Sequence, residues 1–513
     1  MDINRRTLFG GAGALALSAC GGQEPVPSGL LRAAIDREAD SLDPLVGQFA
    51  SSSLMYKQLH APLTDYSPDA GLAPGLAESW SSDDGRRWTF RLRENLVWSD
   101  GTPLTAYDVL WTARRTVDPR TGFADQGDFF AVIGARAALR GEIPPEDIAV
   151  TAPDARTIIF EMDRPLGLFP ILMREFYPQP QHAVEAHGQA YTRPENWVSA
   201  GPYVLQDQGA MRYRLAKNPL YHSADQVQIE NIEISVVEEA AARARLFRAG
   251  DLDLVDRPPN DQIGFYRERL GTQLVAFRAP ILTYFKVNCT RPYLADPRVR
   301  QALSLAVDRS RLNTLFFNDE GTPTDQVIPK PDQAEPVMNT EGARALLAAT
   351  GFDESNPLRI TVRATAGERD RMAVAMVDDF RLAGIEAEVF ASYSLDLYQA
   401  VDSDDFDLAL ARFDRGLKDQ PDFMIQPFTQ DGFANNTNWE SPYRDGFDAL
   451  IEQASGQVDM DERKRMLIEA ERLFLYGASS IPLINEKAYW MVSDRVQLQG
   501  RVQPQMWRDL SWV

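Results

Sequence analysis

The chain has 513 residues, 44% of them hydrophobic and 25% charged, with a formal net charge of -21. This is a globular composition, long enough for about three domains of ordinary size. The acidic balance argues against a nucleic-acid or anionic-membrane surface, which wants clustered Lys and Arg, and beyond the N-terminus no run is apolar enough to span a bilayer.

In chain order, the first segment reads as targeting rather than structure. Arg5 and Arg6 precede the short apolar run Leu8–Ala19, the layout of an export signal. The wording NRRTLF resembles a twin-arginine signal, with general secretion as the alternative. Leu17-Ser18-Ala19-Cys20 resembles a bacterial lipoprotein cleavage box. That resemblance implies a signal over 1–19, lipidation of Cys20, and a tether over 20–28. Cys289 is then the remaining thiol, and no disulfide is expected.

Leu30 to Ile35 reads as a first strand, and a helix is expected from Ser53 to Leu59. Trp88, Phe90 and Leu92 alternate with Thr89, Arg91 and Arg93, the pattern of a half-buried strand. Ser99-Asp100-Gly101 is turn chemistry, and Thr105 with Asp108 forms a capping signal for a helix through Thr116. Thr157 to Met162 is a strand. Glu238 to Ala249 is a helix closed by Gly250, followed by a strand at Leu252 to Val255.

The pivotal stretch is Ile281 to Arg309. Its first part, Ile281 to Asn288, is rich in β-branched and aromatic residues and reads as a strand. Asp296 then caps a helix with Pro297 at its first position, where the missing N–H costs nothing. Val299, Ala302, Leu303, Ala306 and Val307 form its apolar face. Further on, Leu358 to Ala364, Glu368 to Leu382 and Ile385 to Phe390 give strand, helix and strand, the unit a lobe with a central sheet needs. Phe406 to Ala411 is a buried strand. Asp459 and Glu462 start a helix that ends at Gly477, and Ile481-Pro482-Leu483 opens a last crossing strand.

No phosphate-binding loop, nucleophile elbow, CxxC or HExxH occurs, and His182 and His187, five apart, do not share a helical face. No catalytic residues, metal ligands or cofactor are expected. The carboxylates leave a hydrolase as a minor alternative.

Several segments together resemble one family. LAESW, the strand after it, WSDGTPLTAYDV, WVSAGPYVL, Asn218-Pro219-Leu220-Tyr221 and the pivotal stretch follow the order and spacing of solute-binding proteins family 5, the oligopeptide, dipeptide and nickel receptors of ABC importers. The resemblance implies an α/β fold of the type II periplasmic binding protein kind, two lobes with an extra inserted domain. It implies domain I over 29–62, 196–280 and 485–513, domain II over 63–195, and domain III over 281–484. Closure is expected about crossings near Tyr284 and Leu483.

Carried over position by position, the resemblance implies two ligand-facing strips. One is Gln48, Phe49, Ala50 and Ser51; the other is Ala411, Arg412, Phe413 and Asp414. Tyr284 matches an aromatic that points into the cleft, and Asn435, Asn436 and Thr437 match a polar loop near it. Oligopeptide receptors place an aspartate shortly after the Phe413 position to pair the ligand's ammonium. Here the stretch is FDRGLKDQPDF, and Asp414 or Asp419 is left to supply the acid. The implied protein is a monomeric periplasmic receptor, attached to the membrane by its lipid alone. It binds short peptides and delivers them to a permease and ATPase complex. A non-peptide solute such as a metal chelate, opine or sugar is the alternative ligand.

Overall fold

The computed structural model describes residues 29–47, 49–67, 71–121, 129–259, 262–329, 334–414, 443–477, 479–498 and 505–513, together with 425, 428 and 429. The chain enters through β1 (Leu30–Ile35) and α1 (Ala50–Leu59). It then builds an inserted four-stranded sheet from β2 (Ala77–Ser81), β3 (Arg87–Leu92), β4 (Val150–Asp154) and β5 (Thr157–Glu161), ordered β2-β3-β5-β4, with α2 (Ala106–Thr116) against it. It returns through β6 (Tyr203–Gly209), β7 (Arg212–Lys217), β8 (Asn231–Val236), α3 (Ala240–Ala249), β9 (Leu254–Asp256) and α4 (Ile263–Leu270).

The long strand β10 (Leu274–Val287) carries the chain into a second lobe. There follow α5 (Pro297–Leu305), α6 (Arg309–Phe317), β11 (Thr322–Pro323), β12 (Leu358–Thr365), α7 (Glu368–Leu382), β13 (Ile385–Ser392), β14 (Leu408–Asp414), α8 (Arg444–Gly456) and α9 (Met460–Gly477). The second long strand, β15 (Ser480–Val492), leads back.

One mixed sheet runs through both lobes in the order β13-β12-β14-β10-β15-β9-β1-β8-β7-β6, with β11 also on β15. β10 and β15 form its centre and are the two crossings. They pair antiparallel from Leu274↔Met491 to Lys286↔Ser480, with two interruptions. Between Arg278↔Lys487 and Ile281↔Glu486 strand β10 holds the extra residues Ala279 and Pro280. Between Thr283↔Ile484 and Tyr284↔Pro482 strand β15 holds the extra Leu483. Each interruption involves a proline, Pro280 or Pro482, which cannot donate to a ladder. Extra residues of this kind bend and twist a strand locally.

Local signals fix many element ends. The Thr105 N–H bonds Asp108 Oδ2 at 2.8 Å and the Tyr107 N–H bonds Thr105 Oγ1 at 3.3 Å, the reciprocal cap expected for α2. Asp296 Oδ1 accepts the Arg298 N–H at 2.9 Å ahead of α5, and Gly250 closes α3 at φ +79°.

Other ends differ from expectation. α1 begins at Ala50, not Ser53, because its start is secured from outside: Asp40 Oδ1 accepts the Phe49 N–H at 3.2 Å and the Ser52 hydroxyl at 2.5 Å. The pivotal strand begins at Leu274 rather than Ile281, since Leu274–Arg278 find partners on β15. The strand after α3 covers Leu254–Asp256, and β14 covers Leu408–Asp414; pairing with β15 and β10 respectively sets these limits.

Candidate functional site: the strand crossing and its two flanks

Both expected strips lie at the carboxyl ends of their strands. Phe49, Ala50 and Ser51 follow the loop after β1 ends at Ile35; Ala411–Asp414 are the last residues of β14. Open α/β sheets bind ligands beyond this end of their strands.

On the first-lobe side, Phe49 caps α1 in an extended conformation (φ -79°, ψ 151°), and Ala50 and Ser51 open the helix. Such a start presents backbone N–H groups that the helix itself does not use. The Phe49 ring is 42% exposed, with the Arg37 guanidinium over it at 5.1 Å. Ser51 is buried, and its hydroxyl donates to the Glu38 carbonyl at 3.3 Å.

On the second-lobe side, pleat parity sorts the residues. Tyr284 stands opposite Ala411, and Leu282 opposite Phe413. Tyr284 is 2% and Phe413 6% exposed. They belong to a buried cluster with Leu282, Ile425, Phe447 and Phe474. The Tyr284 ring meets Phe428 edge-on at 6.0 Å, and Phe413 lies 5.8 Å from the same ring. The side chains of Tyr284 and Phe413 are thus core rather than open wall. Burial pushes the Tyr284 hydroxyl well above its ordinary pKa, so it stays protonated.

The opposite face of the same strands carries Thr283, Arg412 and Glu486. Glu486 is buried; it accepts from Thr283 Oγ1 at 2.6 Å through Oε1 and from Arg412 Nε at 3.0 Å through Oε2. This ties both crossings to β14 at the first bulge, since Glu486 is the residue opposite Ile281. A buried carboxylate without such partners would cost several kcal/mol, on the order of 3–5 when one partner is removed. Thr283 and Glu486 were not among the residues expected from the sequence. The signal was present in part: Arg412 and Glu486 are charges, with Asp414 and Lys487, set into the largely apolar runs LALARFD and IPLINEKAYW.

On its outer side, β14 pairs with β12 only at Val362↔Leu408 and Arg363↔Ala409, while the strand itself continues to Asp414. The side chain of Asp414 is not described, and Gln48, Asp419, Asn435, Asn436, Thr437 and Cys20 lie outside the described residues. Among the described residues no group of three or more His, Cys, Asp or Glu could hold a metal ion, and no helix is long and apolar enough to cross a membrane.

A third contact joins the lobes beside the crossings. Glu320, in the turn between α6 and β11, receives Arg267 Nε of α4 at 2.5 Å and Lys487 Nζ of β15 at 2.9 Å. Asn318 and Asp319 form that turn with φ of +51° and +59°, a left-handed pair.

Two lobes on one sheet, joined by two bulged strands with candidate strips on either side, define a two-lobed solute receptor. The chain belongs to the bacterial extracellular solute-binding proteins, family 5, whose model matches residues 71–435. It is 26% identical over 484 residues to the periplasmic murein peptide-binding protein MppA of Escherichia coli, covering 89% of each chain. It is 27% identical over 463 residues to YgiS of the same organism, a probable deoxycholate-binding periplasmic protein, covering 86% of this chain and 85% of YgiS. Among solved structures, the unliganded open form of MppA superposes with TM-score 0.85 at 23% identity over 95% of this chain and 98% of that one. The Haemophilus influenzae OppA complex with RPPGFSPFR gives 0.71, also at 23%, over 95% and 99%.

Proposed function

We propose that this chain is the substrate-binding component of an ABC importer, taking short peptides between its lobes and handing them to a separate permease and ATPase complex. The observation that carries this reading is the family membership together with the nearly full-length match to a murein peptide-binding protein. A peptide would lie extended between the α1 flank and β14, its main chain reading protein backbone and its ends meeting charge. Gln48, Phe49, Ala50 and Ser51 line one side in this reading, and Ala411, Arg412, Phe413, Asp414, Asn435, Asn436 and Thr437 the other. Asp414 or Asp419 pairs the ligand's ammonium. Tyr284 supports the wall from within the core.

The same proposal includes export, lipidation of Cys20, a monomeric state and a periplasmic location. It also includes the domain bounds of 29–62, 196–280 and 485–513 for domain I, 63–195 for domain II and 281–484 for domain III. Nothing in it requires catalysis.

A second reading has its own observation. YgiS, at 27% identity, carries a name that points to a bile acid, so an amphipathic non-peptide anion is the competing ligand. Mass spectrometry of ligand released from the purified, acid-denatured protein separates the two. A mixture of short peptides is the expected result; a single non-peptide species overturns the peptide assignment while leaving the receptor class intact.

A further inference from the structure

At the end of the first-lobe sheet away from the crossing lies a hollow of about 710 Å³, lined by Arg32, Arg248, Arg269, Arg495, Asp253 and Asp494 together with residues at the C-terminal ends of α3 and α4. Leu274 and Ser493 bracket this end of the sheet. Seven residue-to-residue steps lead from Leu274 to Ile281, or roughly 23 Å at 3.3 Å per step. The hollow is therefore remote from the proposed peptide cleft.

Its charges are unevenly committed. Asp253 is 1% exposed and saturated: it accepts from Arg32 N at 3.0 Å, Arg32 Nε and Nη2 at 3.1 Å each, and Arg495 Nη1 at 3.2 Å. Asp494 accepts from Gln273 Nε2 at 2.5 Å. Arg248 and Arg269 have no carboxylate within 4.0 Å among the described residues, and both rest on one ring, Phe265, at 5.4 and 4.5 Å. Four guanidinium groups against two carboxylates leave a local excess of two positive charges in a chain of net charge -21. Asp251 and Glu268 are chain neighbours of the lining residues but do not line the hollow.

A cation at the last turn of a helix is favourable in itself, and that accounts for one arginine on each helix. It does not account for both converging with Arg32 and Arg495 on a single hollow, held by an aromatic platform. Stacking limits the rotamers of the two forks, so less freedom is lost when they grip a planar or tetrahedral oxyanion.

We propose that this hollow is an anion site that takes a phosphate-bearing group through Arg248 and Arg269, with Arg32 and Arg495 at its floor. The chemistry suits either a free oligophosphate or the headgroup of a phospholipid. The test uses the chain from Gly21 onward, which carries no lipid, at low ionic strength, where such contacts are least screened. One arm titrates pyrophosphate by calorimetry. The other measures co-sedimentation with vesicles of phosphatidylglycerol and phosphatidylcholine against phosphatidylcholine alone. Both arms are repeated with the R248Q/R269Q variant and with Arg269→Lys, which keeps the charge but not the fork. Both arginines are exposed, so the thermal unfolding midpoint should fall only slightly, by the loss of their helix-end and Phe265 contacts.

Pyrophosphate affinity reduced at least tenfold in R248Q/R269Q, and several-fold in R269K, assigns a soluble anion. Loss of vesicle binding in R248Q/R269Q without a pyrophosphate signal in the parent assigns a lipid headgroup. Absence of both signals, or binding that survives R248Q/R269Q, overturns the proposal. Ligand binding in the cleft should be the same in all variants, so this result stands apart from the peptide reading.

Discussion

The first lobe meets the inserted unit in a different way from how it meets the second lobe. One buried cluster runs without interruption from Leu31, Ile232 and Trp507 of the first lobe to Phe160, Phe169 and Trp98 of the insertion. Around it lie buried polar ties: Arg115 Nη2 to Asp43 Oδ2 at 2.6 Å, Gln179 Nε2 to Asp43 Oδ1 at 2.8 Å, and Arg508 Nη2 to Asp65 Oδ1 at 2.7 Å. Burial alone would raise the Asp43 carboxyl, but the hydrogen bonds and charge of Arg115 outweigh it and hold the group below its ordinary value.

Toward the second lobe there is no such continuity among the described residues. The clusters of that lobe begin at Leu282 on one face and Phe285 on the other, directly after Ile281, which still belongs to the first. What spans the gap is two strands, their bulges, partly exposed ion pairs, and one backbone contact from the insertion, the Gly167 N–H to the Ser455 carbonyl of α8 at 2.7 Å. A shared core transmits motion rigidly, because packed side chains have few alternative arrangements. Two bulged strands can change dihedral angles at a few positions. The comparison therefore assigns the moving boundary to β10 and β15 and makes the first lobe and insertion one body.

The largest effect should come from breaking the shared core. Phe160 is fully buried, with ring centroids of Phe90, Phe129, Phe169 and Phe176 at 5.2 to 6.3 Å. Phe160→Ala should cost about 3–5 kcal/mol. In denaturant titrations followed by tryptophan fluorescence, the first lobe and insertion should still unfold together at a lower midpoint. Separation into two steps, with the insertion alone shifted, would break the comparison.

A smaller effect sharpens it through pH. His60 sits in the shared core, Nε2 at 3.2 Å from the Leu42 carbonyl, and burial lowers its pKa from 6.5 to about 4. The folded protein thus holds a neutral imidazole that the unfolded chain protonates below 6.5. The resulting stability is fully present above pH 6.5 and is lost progressively as pH falls toward 4. At pH 5 the loss is about 2 kcal/mol. His60→Gln should remove that much of the drop in unfolding free energy between pH 7 and 5; an unchanged slope would mean that His60 is not held neutral.

The smallest effect belongs to the other boundary. Arg267 and Lys487, which grip Glu320, have side chains 42% and 40% exposed, and exposed pairs contribute about 1 kcal/mol or less. Because the contact bridges the lobes in the arrangement of this structure, Glu320→Gln should release that restraint and favour closure. Ligand affinity by calorimetry should rise by up to about threefold, and the ligand-free radius by small-angle scattering should shrink. If both stay unchanged, the contact does not restrain the hinge.

By itself the sequence determined the family, the α/β class and the ends of those elements whose caps are local. Thr105 with Asp108, Asp296 before Pro297 and Gly250 all act within four residues of the groups they satisfy, so chain order alone reveals them. Tertiary structure decided where Leu274–Arg278 pair, why α1 starts at Ala50, and which face Tyr284 presents. It brought Thr283 to Glu486 across 203 positions and Arg412 to Glu486 across 74. Periodicity reports which side of an element is apolar, but not which distant element will cover it. The buried environment of Tyr284 and Phe413, the shared core of the first lobe and insertion, and the arginine-lined hollow all depend on that second choice.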